Sequence, residues 1–328
     1  VGGRRKQKFS PKPRTISPPE RHFSYLPAKI PMRPLLILWR FSRPHTLIGS
    51  TLSITALYLI AGAGYPWQEN LLTVFLPALV SALACNIYIT GLNQYTDIEV
   101  DRINKPWLPI AAGDLAPRQA LTIVSVCGVL SLALAFWQGW GLGLLIFAIL
   151  AIGTAYSVPP LKFKRNHFLA AGAITLVRGI LVNLGFFAHF RLKLSGEPRL
   201  EAIIWPLTAF VALFSLGIAW FKDIPDTKGD EAFRFGTLAI RLGRRFALWA
   251  GVAVVGTAYL GVAAAAVLGF LPSRAFFTLF HLLPLLVFIT WAWRLDVEDN
   301  KQVKRFYLFF WVLFFIEYIV YPAGILMG

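Results

Sequence analysis

The chain has 328 residues, 57% of them hydrophobic, and carries a formal net charge of +16. Its apolar residues come in long blocks, and a bilayer core roughly 30 Å thick needs about 20 such residues per helix, so the length reads as a polytopic helical membrane protein rather than two soluble domains. The positive charge follows membrane topology rather than a nucleic-acid partner, and Cys85 and Cys127 lie in apolar spans without a CxxC pair, so neither a disulfide nor a zinc site is expected.

Residues 1–33 come first, with nine Lys/Arg, one acid (Glu20), many prolines and no apolar run. They read as a flexible basic arm. The segment lacks the apolar stretch of a secretory signal. The plainer reading is a polybasic tail on anionic lipid; the other is the remnant of an organelle transit peptide. The start at Val1 fits a truncated or processed segment. Residues 34–328 read as a single transmembrane domain.

Nine spans follow, at about 44–63, 71–92, 119–137, 140–157, 168–190, 202–221, 246–271, 276–293 and 306–326. Counted by side, with the arm, Arg40 and Arg43 included, Lys and Arg divide 27 to four, with Arg178 inside a span. The positive-inside rule puts the N-terminus and the exits of the even-numbered spans on the cytoplasmic side or its organellar equivalent. An acidic motif follows span two and another follows span six, with Asp97 and Asp226 separated by 129 positions. The fold expected is all-α: two pseudo-repeated four-helix halves plus a final helix, arranged around a central cavity with the motifs face to face.

The first motif runs from Asn93 through Asp97 to Asp101, and the second contains Asp223, Asp226 and Asp230. Residues four apart share a helix face, so Asn93, Asp97 and Asp101 are expected to form one stripe of oxygen ligands, and Asp226 and Asp230 another. Carboxylates at a membrane boundary are costly without partners. Magnesium takes one or two carboxylates plus waters and substrate phosphates, and two such clusters fit two ions around a diphosphate. Arg102, Lys105, Lys162 and Lys228 are the candidate phosphate donors. A single DxxxD is most simply a solvated helix end; two at matching places weigh against that reading.

Tyr156-Ser-Val-Pro159-Pro160 ends span four sharply, leaving Lys162, Lys164 and Arg165 on the acidic side. Those cations are equally explained by topology, and Tyr156 by an interfacial aromatic belt. Arg178 is intramembrane and hence a functional candidate, for an acceptor carboxylate or for diphosphate; snorkelling is the alternative. Arg43 begins span one on the same side, and His45 reads as a polar interface residue. Hydrolase, metalloprotease and nucleotide-loop signatures are absent.

The Asn93/Asp97/Asp101 motif, the second aspartate motif and Tyr156-Ser-Val-Pro-Pro-Leu161 resemble the UbiA-type superfamily of intramembrane aromatic prenyltransferases. The likeness spans all nine helices. Within it, Phe41–Thr46, Asp101–Gly113 and Phe221–Asp226 are similar to the homogentisate prenyltransferases, above all those that transfer a phytyl chain in tocopherol synthesis. One departure is Thr227-Lys228, where an acidic residue is expected beside Gly229. The resemblance implies a magnesium-dependent enzyme of a cyanobacterial or plastid membrane that joins a prenyl diphosphate to homogentisate with decarboxylation. Asn93, Asp97, Asp101, Asp226 and Asp230 would hold metal and Asp223 would join them in catalysis. Arg102, Lys105, Tyr156, Lys162 and Lys228 would bind diphosphate, and Arg43 and Arg178 the acceptor. A geranylgeranyl or solanesyl donor, or another acceptor, stays open. A transporter is the rival class, since it also combines repeats with intramembrane charge.

Overall fold

The computed structural model describes residues 34–233 and 236–328, apart from the side chain of Lys228. The basic arm expected at 1–33 lies outside the described residues. Among these residues there are nine helices long and apolar enough to cross a membrane. We number them α1 (Pro44–Ala61), α2 (Trp67–Thr96), α3 (Pro117–Gln138), α4 (Trp140–Ser157), α5 (His167–Ser195), α6 (Ile204–Phe221), α7 (Arg244–Val267), α8 (Arg274–Trp293) and α9 (Asn300–Leu326). A short helix, Pro34–Phe41, precedes α1.

Local chemistry sets the ends. Pro44 and Pro117 open α1 and α3, where a missing N–H costs nothing. Asn166 caps α5 by accepting from the Phe168 and Leu169 amides at 2.9 and 3.3 Å. Asp299 caps α9 through the Lys301 amide at 2.8 Å. Gly139, with φ of 140°, separates α3 from α4, a conformation suited to a residue without Cβ. Pro284 and Pro322 sit inside α8 and α9; membrane helices tolerate this because neighbours satisfy the freed carbonyls.

The halves repeat one pattern: α2 packs on α3 and α3 on α4, while α6 packs on α7 and α7 on α8. Helix α1 packs against α5 across the halves, and α9 closes the ring between α8 and α1. The core is aromatic, with Phe214 stacked on Phe310 at 4.1 Å and Phe221 edge-on to Phe310 at 4.8 Å. Such rings gain from offset and edge geometries as well as from burial.

Helix α5 departs from regularity. Thr175–Leu181 forms π-helical turns, a feature that often marks functional sites, and Arg178 lies within them. Gly179 lets this segment approach α6: a Cβ there would lie 2.5 Å from the Ala212 Cα. Because that neighbour is backbone, α5 must move to admit it. Gly179→Ala is expected to cost about 1–3 kcal/mol, read as a lower unfolding temperature in detergent. An unchanged temperature would show that the two helices do not approach this closely.

Candidate functional site

The two acidic motifs meet at one end of the bundle. Asn93 lies in the last turn of α2, which extends to Thr96, beyond the end near 92 expected from hydropathy. At Asp97 the backbone leaves helical geometry (φ −120°, ψ 23°), and Asp101 belongs to a separate short helix, Ile98–Asn104. The three motif residues therefore do not share one continuous helix as expected. The Asp101 amide still donates to the Asp97 carbonyl at 2.8 Å, so the two carboxylates keep a helix-like spacing across the break. In the second motif Asp223 lies in the turn after α6, and Asp226 precedes the helix Thr227–Ala232, which carries Asp230.

Direct bonds join the motifs. Lys105 forms an ion pair with Asp226. Asn104 donates from Nδ2 to Asp230 at 3.3 Å and accepts from the Gly229 amide at 2.9 Å. A Cβ at Gly229 would strike the Asn104 side chain, so glycine allows this approach. Asp101 feels the charges of both Asp97 and Asp226, as expected of opposed clusters.

Cations neutralise the carboxylates. Lys164 lies 2.5 Å from Asp97 Oδ2 and Lys162 3.7 Å from Asp97 Oδ1. Asn93 donates to Asp97 at 3.3 Å, and Arg43 donates to Asn93 at 3.5 Å. Lys222 pairs with Asp223 at 3.0 Å and donates to the Tyr156 hydroxyl at 3.3 Å. Arg43 (φ 53°) and Lys162 (φ 34°) are both left-handed. Non-glycine residues rarely adopt that conformation unless their surroundings impose it.

Burial shifts several of these groups. It pushes the Asp101 carboxyl up to about 6. Burial, with the charge of Asp223 added, raises Asp230 to about 7, and burial raises Asp223 as well. The Lys164 ammonium is lowered to about 8 by burial, against the pull of Asp97. Asp97 Oδ1 and Asp101 Oδ2 are buried without a hydrogen-bond partner, and such oxygens are costly unless something satisfies them.

Two expected residues fall outside this set. Arg102 turns away into solvent and pairs with Glu99 at 2.7 Å. The Lys228 side chain lies outside the described residues. Lys164, Lys222 and Asn104 were not singled out from the sequence, yet each bonds a motif aspartate.

Arg178 is connected to this cluster by contacts. Its guanidinium lies 4.9 Å over Trp311 and 5.7 Å from the Phe314 ring centre. Trp311 meets the His45 ring at 5.0 Å, edge-on, and His45 is two residues from Arg43. Arg178 NH1 and Arg43 Nε are buried without hydrogen-bond partners.

Nine helices long enough to cross a membrane, among the described residues, with two opposed aspartate clusters at one end of the bundle, are the architecture of an intramembrane prenyltransferase. The UbiA prenyltransferase family matches residues 50–314, and the chain belongs to that family. It is 42% identical to homogentisate phytyltransferase of Synechocystis sp. over 90% of its own length and 97% of that protein. It is 36% identical to the chloroplastic homogentisate phytyltransferase 1 of Arabidopsis thaliana, over 87% of the chain and 74% of the relative. Among solved structures, an apo UbiA homolog from Aeropyrum pernix K1 aligns with TM-score 0.65 at 20% identity, covering 87% of this chain and 98% of that one. A UbiA homolog from Archaeoglobus fulgidus bound to GPP and Mg2+ aligns with TM-score 0.59 at 18% identity, covering 89% and 100%.

Proposed function

We propose that the protein transfers a phytyl group from its diphosphate to homogentisate, with loss of the acceptor carboxylate, in a cyanobacterial or plastid membrane. The relatives' activity supports the reaction class, and the carrying observation in this chain is the bonded pair of aspartate clusters with unsatisfied buried oxygens. Divalent magnesium fits that donor set. Among the described residues no three acidic, histidine or cysteine side chains enclose a metal on their own, but magnesium commonly completes its shell with water and phosphate oxygens. Asn93, Asp97, Asp101, Asp226 and Asp230 would hold it, with Asp223 beside them. When bound, magnesium supplies positive charge that stabilises a leaving diphosphate.

The chain's own residues supply the rest. Lys105 and Lys162, now paired with carboxylates, are the donors for phosphate oxygens, and Lys164 and Lys222 are added to them. Tyr156 holds Lys222 in place and offers its own hydroxyl. Arg43 and Arg178 stand ready for the acceptor's carboxylate. As the bond to diphosphate breaks and the allylic carbon gains positive charge, the electron-rich acceptor ring attacks it and gives up its proton. The acetate carboxylate leaves as CO2 while the methylene takes up one proton. The apolar bundle keeps out water that would quench the cation. A geranylgeranyl donor is the alternative within the same family; a wheat homogentisate geranylgeranyltransferase is 36% identical to this chain. A panel of phytyl, geranylgeranyl and solanesyl diphosphates against homogentisate and 4-hydroxybenzoate tests the assignment. The highest kcat/KM is expected for phytyl diphosphate with homogentisate, and equal rates with the other acceptor would sink it.

The raised carboxyls give a further test with a definite sign. Asp101 and Asp230 bind protons more tightly in the folded state than unfolded, so the stability those protons confer is present at low pH and is lost as pH rises through about 6 and about 7. Magnesium competes with those protons. The rise in unfolding temperature on adding magnesium is therefore expected to be large near about pH 8 and small near about pH 5.5. A shift independent of pH would place the metal elsewhere.

A further inference from the structure

The loop between α2 and α3 carries Lys105, and two cations grip it from outside at Trp107. The Trp107 carbonyl accepts a hydrogen bond from Arg40, and Lys304 Nζ lies 5.0 Å over the indole centre. Arg40 also reaches the far end of the loop through Asp114 at 3.4 Å. These cations come from opposite ends of the membrane domain: Arg40 from the helix Pro34–Phe41 and Lys304 from the start of α9. Trp107 is 50% exposed. It lies inside a turn closed by the Leu108 amide donating to the Lys105 carbonyl at 2.9 Å. The next residues are anchored, since Ile110 packs in a small cluster with Phe41, Leu92 and Leu115.

We propose that Arg40, Trp107 and Lys304 are positioning residues that hold the Lys105 turn closed against the second aspartate motif. The inference rests on the placement of the diphosphate beside Lys105. Ordering a surface turn costs conformational entropy, and two cations on one tryptophan offset it. Releasing either grip raises the open fraction. Apparent affinity for the diphosphate then falls with the closed fraction, whereas turnover of the closed complex does not change. The signature is a shift in KM without a shift in kcat.

The experiment uses the full chain in lipid nanodiscs, varying phytyl diphosphate at saturating magnesium and homogentisate. Trp107→Leu, Arg40→Gln and Lys304→Met are each expected to raise the KM for the diphosphate roughly three- to tenfold, with kcat held within about twofold. Trp107→Phe keeps an aromatic face for Lys304 and is expected to lie close to wild type. Trp107→Leu carries the argument because it changes no charge. If only the two charge-removing variants raise KM, the cations steer the substrate and the clasp is overturned. A fall in kcat at constant KM overturns it as well. Hydrogen exchange of the Leu108 amide, whose bond to the Lys105 carbonyl closes the turn, reads opening without any substrate, and Trp107→Leu is expected to accelerate it; equal rates overturn the clasp even if the wild type turns over another substrate. A wild type inactive on the whole panel, with exchange still accelerated in Trp107→Leu, would instead reject the proposed function.

Discussion

Asp97→Asn is expected to lower kcat roughly 100- to 1000-fold, with the diphosphate KM changing far less. The carboxylate lies where the α2 helix breaks and is bonded by Asn93, Lys164 and Lys162. The amide keeps an acceptor for Lys164 and nearly the same shape, so the fold survives. What it loses is negative charge, and with it the attraction for a cation stabilising the departing diphosphate. That charge matters most as the carbon–oxygen bond breaks, so the loss appears in kcat. Asp97→Ala is the harsher variant, because it also leaves the buried Lys164 ammonium without its carboxylate. EDTA is expected to reproduce the kinetic loss in the wild type, and magnesium to reverse it. Turnover that persists in EDTA, or in Asp97→Ala, would mean that the aspartates do not act through a metal.

Much of this site could be read from the chain, for reasons that vary between residues. The spans were legible because apolar length alone decides them, and the motif pairing because Asp97 and Asp226 occupy matching places in two halves. The break at Asp97 was not legible. A spacing of four is satisfied equally by one helix or by two that keep a single bridging hydrogen bond. Of Lys162 and Lys164, which alternate in a basic run, only Lys162 is expected from the sequence as a phosphate donor; the left-handed backbone at Lys162 and the turn at Phe163–Arg165 bring both onto Asp97, Lys164 the nearer. Arg102 is different, since its fate was written locally. Glu99 lies three residues earlier, at the spacing that pairs side chains on a helix, and it draws the guanidinium outward. Asn104 became a bridge only because Gly229, remote in sequence, permits the approach. The π-helical turns at Arg178 left no mark in the hydropathy pattern.

Arg178 carries the second large effect. It lies eleven residues into α5, roughly 16 Å along the helix, yet a path leads to it from the first aspartate motif: Asn93 meets Arg43, His45 follows two residues on, and Trp311 joins His45 to Arg178. With a diphosphate at the aspartate clusters and a prenyl tail in the apolar interior, as proposed, an aromatic acceptor reaching the allylic carbon would lie along this path. A buried guanidinium with an unsatisfied NH1 is costly, and the ring faces of Trp311 and Phe314 offset part of the charge. Arg178→Met keeps the apolar stem against both rings and removes the charge. The variant is therefore expected to unfold no earlier than wild type. Its KM for homogentisate is expected to rise roughly 30- to 100-fold, since removing one partner of a buried charge pair costs about 2–3 kcal/mol. Its KM for prenyl diphosphate should stay unchanged. Arg178→Lys keeps the charge but not the flat stacking group, and is expected to recover only part of the loss. Plain hydroquinone, which lacks the acetate, sharpens the test: wild type should favour homogentisate strongly over it, and Arg178→Met should not. If the variant keeps the wild-type preference, the acceptor's carboxylate is held elsewhere, and the same comparison with Arg43→Met then locates it.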